Sequence, residues 1–93
     1  MNLEIPKSVQ QDPNSAEIAR IWLSHGKQIV SINPSAWSDP AAWGLMLADF
    51  ARHVANAYEQ LDGRNRQVVL NRIRQGMDAE WNFPTDVPTG SVC

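Results

Sequence analysis

The sequence predicts an α+β domain: an antiparallel β-hairpin followed by two amphipathic helices, in the order ββαα. Three observations carry this. The stretch "AEIARIWLSHGKQIVSIN", residues 16–33, alternates apolar and polar residues on both sides of His25-Gly26. Apolar residues then recur at the i, i+3, i+4, i+7 spacing up to Leu61, and again from Val69 to Trp81. At 93 residues the chain is long enough for one domain and one modest core. The organisation expected is an N-terminal arm over 1–15, a folded domain over 16–83 and an extended tail over 84–93.

The arm is polar and holds Pro6, Pro13 and Asn14. It reads as mobile, with a short edge contact around Leu3 and Ile5. In the hairpin, a two-residue loop at His25-Gly26 sets Ser24 opposite Lys27, Leu23 opposite Gln28, Ile21 opposite Val30 and Ala19 opposite Ile32. One face then carries Ala19, Ile21, Leu23, Val30 and Ile32. The other sets Trp22 opposite Ile29 and Arg20 opposite Ser31. A slip by one residue would scramble both faces, so the pattern specifies the register. The glycine suits a primed turn, whose twist matches that of paired strands. Asp39 is placed to cap the first helix, with Pro40 at its first position, where a missing N–H costs nothing. The apolar stripe of that helix is Trp43, Met46, Leu47, Phe50, Val54, Ala57, Tyr58 and Leu61. Gly63 suits a left-handed cap. A second helix from Asn65 presents Val69, Leu70, Ile73, Met77 and Trp81, and Pro84 stops it.

A lone two-stranded sheet is marginal in water and has two bare edges. Either two copies join edges into a four-stranded sheet, or the arm supplies a third strand. Trp22 and Ile29 would be wasted on the outer face of a monomer. Leu45 lies on the polar side of the first helix, beside Ala48 and Ala55, which allow a close backbone approach. Trp22, Ile29 and Leu45 are therefore the candidate interface residues, and a homodimer is the expected assembly. Four tryptophans are a large aromatic payload of the kind that lines interfaces and pocket walls.

Composition narrows the function classes. Hydrophobic residues make up 43% and charged residues 19%, too apolar a balance for wholesale disorder. The net charge of −2 lacks the basic surplus of nucleic-acid binders. No stretch reaches the roughly 20 apolar residues of a membrane span. The first residues have no apolar core of the signal-peptide kind and read as an uncleaved start. The one cysteine, Cys93, forms no internal disulfide and fits the cytoplasm.

The chemistry-bearing residues are few. Asp49 and His53 are four apart, so a helix sets carboxylate and imidazole side by side, with Asn56 and Gln60 near. Such a pair suits general-base work or metal ligation, and equally a solvated helix face. A metal needs three or four converging ligands, and no ligand spacing of that kind occurs, so neither metal nor cofactor is expected. No serine has a nucleophile-elbow context, and the five glycines are scattered, which leaves no phosphate loop. Arg64, Arg66, Arg72 and Arg74 spread around the second helix among acids and read as a charged surface rather than a phosphate site. Trp81 and Phe83 bracket Asn82. Either they pin the helix end over the core, or they wall a recognition groove to which Asp86 lends charge.

Together, "DPAAWGLMLADFARHVANAYEQ" and "GMDAEWNFPTDVPTG" resemble a family of short bacterial proteins known only as a domain of unknown function. The resemblance runs from about Glu17 to Gly90. It implies a cytoplasmic, single-domain bacterial protein and carries no activity and no catalytic residues. The function expected is thus a non-enzymatic, homo-oligomeric interaction or structural module. The alternative is a small-ligand or catalytic site in a groove near Asp49, His53 and Trp81. Peptide capture by strand addition is a third class, open if a hairpin edge stays unpaired.

Overall fold

The computed structural model describes residues 2–85 and 89–92, the last four as a backbone strand only. The chain divides into two compact units, residues 1–36 with 88–93, and residues 37–87.

The first unit is a three-stranded sheet. Strands β1 (Ala19–Ser24) and β2 (Lys27–Ile32) pair antiparallel in the expected register, from Ala19 opposite Ile32 to Ser24 opposite Lys27. His25 and Gly26 both take positive φ, 53° and 74°, as a type I′ turn requires. The third strand, β3 (Thr89–Val92), lies parallel to β2. It comes from the C-terminal segment rather than from the arm. The arm instead carries one helical turn, α1 (Lys7–Gln10), begun where the Pro6 carbonyl accepts from the N–H groups of Val9 and Gln10 at 3.0 and 3.1 Å. Leu3 and Ile5 are exposed and make no edge contact. The strand order β1-β2-β3 puts β2 at the centre. Its Ile29, Val30 and Ile32 are half-buried, while Ile21 and Leu23 of the outer strand β1 are exposed. Val30 and Ile32 lie on the expected core face and Ile29 on the other, so the half-burial on both faces of β2 follows from its place between two strands.

The second unit is a helical hairpin of α2 (Ala41–Asp62) and α3 (Arg66–Asn82). The Asp39 carboxylate accepts from the Ala41 N–H at 3.0 Å, and Pro40 already has helical angles, φ −56° and ψ −23°. Gly63 closes α2 at φ 78°, its N–H donating to the Glu59 carbonyl at 2.8 Å. Asn65 caps α3, its side chain accepting from the Val68 N–H at 3.1 Å.

The helix seam differs from the stripe the periodicity predicts. Among the described residues, Ala51, Ala55 and Val69 are the buried ones, and Leu47, Phe50 and Leu61 stay exposed. Gly44, Ala48, Ala51 and Ala55 share one face of α2, and small side chains let a neighbouring backbone approach closely. Of that face, Ala51 and Ala55 are buried in the helical hairpin, while Gly44 and Ala48 stay exposed. Burial fades along α3: Val69 is buried, Leu70 and Ile73 half-buried, Met77 and Trp81 exposed. Among the described residues, no helix is long and apolar enough to cross a membrane.

Candidate functional site

Asp49 and His53 border one shallow depression of about 400 Å³ on the outer side of α2, with Trp37, Leu45, Met46 and Phe50 around them. The helical repeat brings Leu45, Met46, Asp49 and His53 to one side of the helix. Trp37, from the turn before it, roofs the end and meets Trp43 edge-to-face, with centroids 5.1 Å apart and planes at 82°. Asp49 and His53 are exposed, and the nearest cation to the carboxylate is Arg52, whose Nη1 lies 3.5 Å from Asp49 Oδ1. This is a surface pair, worth about 0–1 kcal/mol.

Trp81 lies elsewhere. It lines a groove of about 480 Å³ between α2 and α3, with Leu47, Leu70, Ile73 and Met77. Phe83 borders neither hollow. At 81% and 80% exposed, Trp81 and Phe83 pin nothing. The helix end is held by Glu80, whose carboxylate accepts from the Thr85 N–H at 2.7 Å and its hydroxyl at 2.9 Å. Sequence reasoning missed this clamp, for which a five-residue separation across a proline leaves no periodic signal. Asp86 and Cys93 lie outside the described residues.

Leu45, 72% exposed, joins the depression, whereas Trp22 and Ile29 face each other across the β1–β2 ladder. The arginines of the second unit are individually taken. Arg64 meets Asp62 at 2.9 Å and lies 4.8 Å above the Tyr58 ring. Arg66 meets Glu59 at 3.2 Å, Arg72 donates to Gln75 at 2.9 Å, and Arg74 meets Asp78 at 3.0 Å. Among the described residues, no group of three or more His, Cys, Asp and Glu could hold a metal ion.

The family model described as "Domain of unknown function (DUF5076)" matches residues 2–85. The chain belongs to this family. No curated protein matches it. Among solved structures, the chain is similar to a protein from the photosynthetic bacterium Rhodopseudomonas palustrus CGA009, provisionally described as a pyruvate dehydrogenase. The two are 30% identical with a TM-score of 0.74, over 96% of this chain and 91% of that one. The two chains are thus of nearly the same length.

Proposed function

We propose that the chain is a non-enzymatic, self-associating interaction or structural module. One observation carries this reading. Among the described residues only Ala51, Ala55 and Val69 are buried, while Leu45, Leu47, Phe50, Leu61 and Trp81 stay in water. Covering one such large side chain contributes about 1.5–3 kcal/mol. A chain that leaves this many uncovered has most to gain from a second surface. The partnered arginines favour a solvated charged face over a phosphate track, so neither nucleic acid nor membrane is the expected partner. The single cysteine accords with a cytoplasmic setting.

A pyruvate dehydrogenase needs a cofactor that takes up the carbanion or the electrons. This sequence has no glycine-rich loop to cradle a cofactor's phosphates, and its acids and imidazoles among the described residues lie in water. The reading therefore does not rest on the neighbour's description.

A second reading has one observation in its favour. The depression at Asp49 and His53 combines aromatic walls with a carboxylate and an imidazole, which suits a small polar-aromatic ligand. A thermal-shift panel of metabolites and metals separates the two readings. The module gives no shift with any member and a molar mass above that of one chain. A shift that His53→Ala abolishes would overturn the module reading in favour of the ligand site.

A further inference from the structure

Self-association leaves open which surface joins the copies, and the backbone of the sheet points to one. In an antiparallel ladder, alternate residues aim both N–H and C=O at the neighbouring strand, and the rest aim them away. The Asn33 N–H donates to the Ile18 carbonyl at 2.9 Å, and the register continues unbroken to Ser24 opposite Lys27. Ile18, Arg20, Trp22 and Ser24 are therefore the residues bonded to β2. The backbone groups of Ala19, Ile21 and Leu23 point the other way. β3 occupies the far edge of β2, which leaves the outer edge of β1 as an end of the sheet among the described residues.

Such an edge is a template for another strand unless it is guarded by proline, lysine or a bulge. β1 has none of these. Its one charge, Arg20, is held by Glu17, Nε to Oε1 at 2.7 Å. One face is apolar and wet, with Ile21 57% and Leu23 84% exposed; the other carries Trp22, 47% exposed, between Arg20 and Ser24.

We propose that β1 pairs antiparallel with β1 of a second copy about a two-fold axis at Ile21, fusing two sheets into one of six strands. This rests on the self-association reading. The occupant is a second copy because the strand complements itself in this register. Ile21 meets its own counterpart. Ala19 meets Leu23, small against large. Arg20 meets Trp22, which sets a guanidinium beside an indole twice per dimer. Centring on Arg20 would oppose two guanidinium groups, and centring on Trp22 would place Arg20 against Ser24. Only the Ile21 axis pairs charge with ring and large with small on both faces.

The test is Ile21→Pro. It deletes the N–H on which the central pair depends, and that N–H points away from β2, so the β1–β2 ladder is retained. Light scattering is run across a dilution series on the wild type, Ile21→Pro and Ile21→Val, with circular dichroism on each. Wild type and Ile21→Val are expected as dimers. Ile21→Pro is expected to keep the wild-type spectrum and to raise the dissociation constant about a hundredfold, the scale of two lost hydrogen bonds with their packing. A folded Ile21→Pro with the wild-type dissociation constant overturns the edge and leaves self-association standing. A monomeric wild type at every concentration overturns both. Should Ile21→Pro fail to fold, Ile21→Cys in a Cys93→Ser background decides. Directly paired positions lie about 5.5 Å apart, within disulfide reach. A disulfide-linked dimer on mild oxidation supports the register. Its absence, or faster linkage through Trp22→Cys in the same background, overturns it.

Discussion

At the scale of single residues, the ends of the helices are the most determined parts of this chain. Gly63 stands at φ 78°, where an L side chain costs about 1 kcal/mol or more. Gly63→Ala is therefore expected to lower stability by about 1 kcal/mol in urea unfolding. An unchanged midpoint would mean that the cap is dispensable. Asn65→Ala removes the acceptor for the Val68 N–H, and the same measurement is expected to register a loss of about 1 kcal/mol. Asp49→Asn tests the opposite expectation. The carboxylate is exposed and shared only with Arg52 at 3.5 Å, so stability should move by less than about 0.5 kcal/mol. A loss of 2 kcal/mol or more would reveal a role in folding that the geometry does not contain. The caps at Asp39-Pro40 and Gly63 were legible because capping is local chemistry, acting on N–H and C=O groups a few residues away; at Asn65 the sequence marked only where the helix begins, and the structure shows its side chain as the cap. The Asp49–His53 pairing was half legible. Helical spacing put both on one depression, but the carboxylate's contact is with Arg52, at 3.5 Å.

At the scale of elements, the hairpin and the helix pair teach different lessons. The β1–β2 register followed from alternation and a two-residue turn, both local. The helix seam did not follow from hydrophobicity alone. Two faces of α2 were available, one large and apolar, one small, and packing against α3 uses Ala51 and Ala55 on the small one. With a three-residue link that begins at Gly63, the helices turn back so tightly that close approach favours small side chains over large ones. Ala55→Leu should accordingly cost about 1–3 kcal/mol through overpacking, measured by thermal or denaturant unfolding. Leu61→Ser, on the exposed side, should cost far less in the monomer. If Ala55→Leu proved neutral and Leu61→Ser severe, the seam would lie on the large-residue face after all.

At the scale of the whole molecule, much apolar surface stays in contact with water. If association covers it, folding and association are linked, and the melting temperature must rise with protein concentration. Calorimetry over a hundredfold range of concentration checks this, and a melting temperature independent of concentration would count against the homo-oligomeric reading. The sequence by itself determined the ββαα order, the hairpin register, a primed turn and the caps of the first long helix. All of these depend on residues within a few positions of one another, where periodicity and turn chemistry act. Only the tertiary structure decided that a C-terminal strand completes the sheet in parallel, that alanines rather than phenylalanine and leucine form the helix seam, and that Trp81 lies apart from Asp49 and His53. Those outcomes depend on contacts between segments far apart in the chain, where several apolar faces compete for one partner and no local pattern says which of them wins.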